Sequence, residues 1–364
     1  MRVYNLLTNE HIYTFGGYDY FARREWQAYD SSPLITNDTL IYCGENGVLY
    51  TCRLNTVFDA ASGTVSISPE RLVKYRYEAS GYSRSDAAGA RWYGVESSPA
   101  AFRNWIFFTD NGGRLQCVDL NELKLMYVTD LKEECDSTPV IDESYGDSTI
   151  YIFSGTETSS YVPELGEGYG YTYHRKINGL TGAIVWEKKW ICGTGDSSSP
   201  GGTVATPVLG KGNVDGLVFF SISQTALSKN KGLAAATPTP GIDETPAPTE
   251  EPVFDDGSGY TLGGRIVAYE KLTGRIVWTA EQSADYWSTP VIVYDGNNRG
   301  YLVQCDRSGR AKLYDASNGT FLNELDLGSR IDSTPVAVDG TLIVGTRGKG
   351  GSGASAKIVG FRIS

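Results

Sequence analysis

The chain has 364 residues and a mass of 39.6 kDa, beyond the usual single core of roughly 100–200 residues, so it holds two domains or one repeat architecture. With 40% hydrophobic and 21% charged residues it is a folded chain, and the charge sum of −11 sets it against phosphate backbones and anionic membrane surfaces. No apolar run reaches the 18 or more residues of a membrane span, so neither nucleic acid nor direct membrane insertion is expected.

Glycine stands at 43 residues and tyrosine at 24, against two methionines and two histidines, a profile of tight turns and half-buried strands. His11 and His174 alone cannot build a multi-histidine metal site, and both sit in strand-like contexts. The six cysteines, Cys43, Cys52, Cys117, Cys135, Cys192 and Cys305, include no adjacent pair and no C-x-x-C spacing. If Asn46-Gly47 is a two-residue turn, Cys43 faces Tyr50 and lies diagonal to Cys52, an awkward geometry for a disulfide. Small apolar strand residues are the simpler account.

Along the chain a dipeptide of Ser or Thr with Pro recurs six times: Ser32-Pro33, Ser98-Pro99, Thr138-Pro139, Thr206-Pro207, Thr289-Pro290 and Thr334-Pro335. Each is followed by a short turn and an apolar strand, such as Trp105-Ile-Phe-Phe-Thr or Leu217-Val-Phe-Phe-Ser. A hairpin comes next, clearest in Lys176-Ile-Asn-Gly-Leu-Thr-Gly-Ala-Ile-Val-Trp186 and in the stretch from Arg265 to Trp278. Thr181-Gly182, Thr273-Gly274 and Asn318-Gly319 supply its positive-φ turn. Each unit therefore holds four antiparallel strands, A to D, with Pro as the first residue of strand A. Starts fall near 32, 98, 137, 205, 288 and 333; the short intervals of 40 and 45 residues match a four-stranded propeller blade.

Longer intervals hold insertions at 79–96, at 156–171 with clustered tyrosines (Tyr161, Tyr169, Tyr171 and Tyr173 in and just past it), and at 225–263, which is acidic and Pro/Thr-rich and is expected to be a disordered spacer inside the fourth full blade. The tyrosines offer a contact surface or an irregular loop. Residues 2–15 match a C–D hairpin, giving a leading half-blade over 1–30, and the chain ends on a C strand. The expectation is one all-β propeller domain over 1–364 with six to seven visible blades, either closed by its N-terminal strands or truncated at the N-terminus, where no export signal precedes Met1.

The Ser-Thr-Pro-Val starts and the Leu-Thr-Gly-x-Ile-Val-Trp hairpins ending at Trp186 and Trp278 resemble the PQQ-like (quinoprotein-like) β-propeller repeat proteins, a group that includes the B lipoprotein of the outer-membrane β-barrel assembly machinery. The likeness covers nearly the whole chain outside the insertions and looks closest to secreted or surface propellers of bacteria. It speaks to fold more than to function, because such repeats serve both dehydrogenases and non-enzymatic scaffolds. The resemblance implies, for the enzymes of the group, a quinone stacked between a Trp and a disulfide of adjacent cysteines, with calcium held by Glu, Asn and Asp. No adjacent cysteines exist here, and Asp142-Glu143 and Asp255-Asp256 lack calcium-loop spacing. No cofactor and no metal is expected.

Residues preceding the Pro-led starts recur in character. Asp30, Glu96, Asp136 and Asp332 stand directly before Ser-Ser-Pro or Ser-Thr-Pro, and Trp26, Trp92 and Trp287 approach the same entrances. In a propeller these residues would rim one channel mouth, as an acidic, aromatic funnel for a cationic peptide, metal ion or sugar. The bland alternative is local: turn carboxylates accepting backbone N–H groups, and tryptophans packed between blades. The sequence reads best as a monomeric, non-enzymatic scaffold, exported or at the cell surface or envelope, binding a protein or polysaccharide. The rivals are a PQQ-dependent oxidoreductase and a carbohydrate-active enzyme using paired funnel carboxylates.

Overall fold

A computed structural model describes residues 1–22, 28–76, 93–146, 149–196, 199–227, 261–348 and 355–362. All regular elements among them are β-strands apart from short 3-10 turns. The chain divides into two compact units, Met1–Pro139 and Val140–Ser364.

Strand A follows the proline in every copy. Leu34–Thr36, Ala100–Phe102, Val140–Asp142, Val208–Leu209, Val291–Tyr294 and Val336–Val338 each begin one residue after Pro33, Pro99, Pro139, Pro207, Pro290 or Pro335. The expected proline-first strand is thus corrected by one residue: a residue without an N–H sits just outside the ladder.

In the first unit, Leu34–Thr36, Thr39–Gly44, Val48–Arg53 and Val73–Tyr75 form one antiparallel quartet, with a small ribbon of Val57–Asp59 and Thr64–Ser66 inserted before its last strand. Ala100–Phe102, Trp105–Thr109, Arg114–Asp119 and Lys124–Asp130 form the second. Arg2–Tyr4 pairs with His11–Thr14 as a separate hairpin. In the second unit, the third quartet is Val140–Asp142, Tyr151–Gly155, Tyr169–Asn178 and Ile184–Gly193, and the fourth is Val208–Leu209, Leu217–Ala226, Leu262–Glu270 and Ile276–Gln282. Val291–Tyr294, Gly300–Cys305, Arg310–Asp315 and Phe321–Asp326 make the fifth, and Val336–Val338, Thr341–Thr346 and Lys357–Arg362 a three-stranded sheet.

The apolar runs are continuous because both faces of a sheet are covered. In the fourth quartet Phe219, Ile266, Ala268 and Trp278 pack toward Leu302 and Tyr314 of the fifth, while Val218, Phe220, Val267 and Tyr269 pack toward Phe153 and Trp186 of the third. Core therefore lies between successive quartets.

Two tryptophans fasten those layers at the hairpin ends. Trp186 Nε1 donates to Lys271 O at 3.1 Å, and Trp278 Nε1 donates to Ala316 O at 2.9 Å. Each indole lies on the hairpin glycine of the next quartet: a Cβ on Gly274 would come 2.8 Å from the Trp186 ring, and one on Gly319 2.5 Å from that of Trp278. Both glycines hold positive φ, at +69° and +73°, so each is fixed twice, by backbone conformation and by the ring above it.

The turn Glu45-Asn46-Gly47 holds three residues, with Gly44 opposite Val48, Cys43 opposite Leu49 and Cys52 opposite Leu40. This corrects the two-residue register by one position and so puts the two cysteines on opposite faces. Cys43 packs with Ile41 and Leu49, and Cys52 with Leu40, Tyr42 and Tyr50.

Around 156–171 the chain is organised, with Glu157–Thr158 paired to Ser199–Gly202 and a 3-10 turn over Pro163–Leu165. Tyr169, Tyr171 and Tyr173 lie in the extended third strand of its quartet, where Lys189 covers the Tyr171 ring and Arg175 that of Tyr173. Of the insertion at 225–263, residues 228–260 lie outside the described residues, and its flanks are strand up to Ala226 and from Leu262.

Both histidines are strand residues. His11 meets Thr14 Oγ1 at 2.8 Å. His174 is fully buried, stacked on Phe220 and bonded to Tyr269 Oη at 3.0 Å and Thr203 Oγ1 at 2.8 Å; burial, with Arg175 beside it, pushes its pKa down to about 3.

Two expectations follow from this packing. Gly319→Ala forces both a left-handed alanine and a ring displacement, and should destabilise the protein by roughly 2–3 kcal/mol in denaturant unfolding, with Trp278→Phe losing the indole bond and following in the same direction. For His174 the folded pKa lies below the unfolded value near 6.5, so the unfolded state binds the extra proton and stability falls as pH drops below about 6.5. Unfolding free energies between pH 5 and 6.5 should lose up to about 1.4 kcal/mol per pH unit from this group, and His174→Gln should flatten that slope.

Candidate functional site

The Ser-(Ser/Thr)-Pro starts are hydrogen-bonding devices. The first hydroxyl ties strand A to the end of strand B twelve residues on: Ser31 Oγ donates to Cys43 O, Ser97 Oγ to Thr109 O and Ser333 Oγ to Gly345 O, at 2.8–2.9 Å. The second hydroxyl accepts from the neighbouring copy. Ser32 N–H donates to Ser98 Oγ at 2.9 Å, Ser98 N–H to Thr138 Oγ1 at 3.2 Å and, in the second unit, Thr206 N–H to Thr289 Oγ1 at 3.0 Å. These bonds place successive strand-A starts side by side, and with them the residues just before.

In the first unit the result is a row of carboxylates. Oxygens of Asp30, Glu45 and Glu96 lie within 4.8 Å of one another, as do those of Glu96, Glu134 and Asp136, with Glu96 common to both groups. Asn111 joins them: its Nδ2 donates to Glu96 Oε1 at 2.7 Å and to Glu134 Oε1 at 2.9 Å. The side chain is only 6% exposed, and its Oδ1 is buried without a hydrogen-bond partner among the described residues. Glu45 is buried, Glu96, Glu134 and Asp136 half-buried, and Asp30 exposed, so the row opens to solvent at one end. Like charges about 4 Å apart repel by roughly 1 kcal/mol in water and about 4 at an effective dielectric of 20.

Asp332 and Trp287 belong to the second unit and have basic surroundings. Asp332 accepts from Arg330 Nε at 2.7 Å and Arg347 Nη1 at 3.1 Å, with Arg307 Nε at 3.5 Å. Burial pushes its carboxyl up, but these hydrogen bonds and charges outweigh that and hold it below the usual range. Over the Trp287 ring lie Arg307, 4.0 Å from the centroid, and Arg330, at 5.1 Å. A uniformly acidic rim through Asp332 is therefore corrected to an ion-paired position. Trp26 and Trp92 lie outside the described residues.

Sequence reasoning missed Glu45, Asn111, Glu134 and the three arginines. A signal was present: Asp110-Asn-Gly-Gly-Arg114 and Asp306-Arg-Ser-Gly-Arg310 are copies of one turn, and Glu134 and Arg330 stand two residues before Asp136 and Asp332.

A PQQ-type cofactor does not fit these residues. All six cysteines are buried free thiols, none next to another, so the stacking disulfide implied by the resemblance cannot form. Asp142 is committed to Lys271, at 3.2 Å, and Asp255-Asp256 lies outside the described residues.

Residues 262–358 match the family model described as outer membrane protein assembly factor BamB. No curated protein matches the chain by sequence. Among solved structures, a europium-containing methanol dehydrogenase aligns with a TM-score of 0.53 and 12% identity over 93% of this chain and 68% of its own. A quinohemoprotein alcohol dehydrogenase from Comamonas testosteroni aligns with a TM-score of 0.51 and 13% identity over 89% of this chain and 52% of its own. The chain thus spans about two thirds of one and half of the other, and at such identities the likeness is one of fold. With its antiparallel quartets as blades, the chain has the β-propeller fold, and its residues 262–358 are similar to the BamB family of PQQ-like repeats.

Proposed function

We propose that this chain is a non-enzymatic binding propeller, exported or held at the cell surface, that takes a cationic segment of a partner protein along the carboxylate row of its first unit. The carrying observation is Glu96, shared by two carboxylate groups and clamped by the buried Asn111 amide. A row of fixed acids suits lysine or arginine side chains, whose charge relieves the mutual repulsion and whose N–H groups match the carboxylate lone pairs.

Neither histidine takes part, since His11 is bonded to Thr14 and His174 is buried in the second unit, and the cysteines offer no nucleophile. Support for export comes from composition, in the Thr237-Pro-Thr-Pro-Gly and Thr245-Pro-Ala-Pro stretches.

The test uses the full chain and a lysine-rich peptide, with a neutral glucan and a uronate polymer as alternative ligands. The peptide should bind saturably and weaken steeply with salt, and the Glu96→Gln/Glu134→Gln variant should bind at least tenfold more weakly with an unchanged circular dichroism spectrum. Equal peptide binding by the variant, or saturable binding of a polysaccharide only, would overturn the reading. Quinone absorbance retained after adding PQQ and calcium would overturn its non-enzymatic part.

A further inference from the structure

Two elements of the first unit stand outside its quartets and meet each other. The hairpin of Arg2–Tyr4 and His11–Thr14 and the ribbon of Val57–Asp59 and Thr64–Ser66 are each a two-stranded sheet of their own. Their turns touch: a Cβ on Gly63 of the ribbon would come 3.2 Å from Leu7 Cδ1 of the hairpin. Between them lies a cleft of about 580 Å³, lined by Asn5, Glu10, His11, Ile12, Thr64 and Val65. It opens to solvent, since Glu10, His11 and Val65 are exposed. Its volume falls within the roughly 300–1,000 Å³ of small-molecule sites.

A bulge sets this lining. Strand side chains alternate between faces, yet the consecutive residues Glu10, His11 and Ile12 all reach the cleft. Val3 pairs with Tyr13 and Tyr4 with His11, which leaves Ile12 as an extra residue without a cross-strand partner, a kink of the kind that re-aims side chains. Asn5, only 6% exposed, spends its Oδ1 on the N–H groups of Leu7 at 2.9 Å and Thr8 at 3.3 Å. Those bonds fix which end of the amide is oxygen, and they leave Nδ2 as a donor with no hydrogen-bond partner among the described residues. Thr8 Oγ1 donates to Glu10 Oε2 at 3.1 Å, which holds the carboxylate and leaves Oε1 as an acceptor. His11 meets Thr14 through Nε2, so Nδ1 is the ring nitrogen left to a ligand, and Tyr4 packs edge-on against the imidazole at 5.5 Å. Thr64 adds a hydroxyl, steadied by Ser62 Oγ at 2.7 Å.

The lining selects its ligand by chemistry. No lysine or arginine lines the cleft and Glu10 repels anions, so a phosphate or carboxylate ligand has no counter-charge there. Glu10 and His11 belong to no group of three metal-ligating side chains among the described residues. A donor, an acceptor and two-way groups side by side suit neighbouring hydroxyls, each of which gives one hydrogen bond and accepts others. Ile12 and Val65 supply apolar wall, and Phe58, opposite Val65 in the ribbon and 63% exposed, adds an open aromatic ring beside it. We infer that this cleft is a saccharide site: Asn5, Glu10, His11 and Thr64 hydrogen-bond the hydroxyls of a neutral sugar while Phe58 packs on its C–H face. It uses no residue of the carboxylate row and does not rest on the reading of that row.

The probes are glucose, galactose, mannose, xylose and N-acetylglucosamine, each as the monosaccharide and as a short oligomer, titrated into the full chain and followed by calorimetry and saturation-transfer NMR. At least one should bind saturably at one site per chain, and which one does identifies the sugar. Asn5→Asp keeps an acceptor for the Leu7 and Thr8 N–H groups but removes the donor, and should weaken binding about tenfold or more. Phe58→Ala and Glu10→Ala, both at exposed side chains, should weaken it to a similar degree with an unchanged circular dichroism spectrum. The Glu96→Gln/Glu134→Gln variant should keep the sugar, so this site and the peptide site fail separately. No saturable binding across the panel, or binding unchanged in both Asn5→Asp and Phe58→Ala, overturns the site. So does a neutral peptide that occupies the cleft when no sugar does.

Discussion

The contact between a tryptophan at the end of one blade and a glycine turn in the next is what the second unit depends on. Trp186 and Trp278 each bury an indole, donate its N–H to a backbone carbonyl of the following hairpin, and lie flat on a glycine that no other residue can replace without moving the ring. A blade buries its apolar faces only against the blades beside it, so each draws stability from the neighbour whose apolar face it covers. The hydroxyl relay at the strand-A starts does the matching work at the opposite end of a blade, where Thr206 meets Thr289. With both ends fixed, loops between strands can change chemistry at small cost to the fold.

That freedom is visible in the B–C turns. Asp110 and Asp306 spend their carboxylates on the same pair of backbone N–H groups, yet the residue that follows is Asn111 in one turn and Arg307 in the other. Around the first gather acids, around the second guanidinium groups. A repeat that has solved its folding problem with a few invariant bonds can present opposite electrostatic faces from equivalent positions, which is why function in such proteins must be sought in departures from the repeat.

Much of the architecture was legible in the residues. Proline marked where each ladder begins, Gly182, Gly274 and Gly319 marked the reversals, and unbroken runs such as Leu217-Val-Phe-Phe marked strands covered on both faces. Less legible was anything that depends on register or on juxtaposition across blades. One extra turn residue at Glu45 moved Cys43 and Cys52 to opposite sides of their sheet. Asp30, Glu96 and Asp136 were marked by their place before the motif, but the sign of the field around Asp332 was set by Arg307, Arg330 and Arg347, from three different connections. The serine and threonine hydroxyls of the recurring dipeptides set successive strand-A starts side by side, and that pairing shows only in the fold.

The burial of the cysteines reaches beyond packing. Each thiol is fully or almost fully hidden, and burial pushes Cys117, Cys192 and Cys305 up to about 12, so hardly any thiolate exists at neutral pH to be oxidised or alkylated. The folded chain thus keeps its six sulfurs out of solvent, with no cross-link among them. The vulnerable interval is before folding: an unfolded chain carries six unprotected sulfurs, and wherever the surroundings oxidise thiols blade assembly must outrun their random coupling.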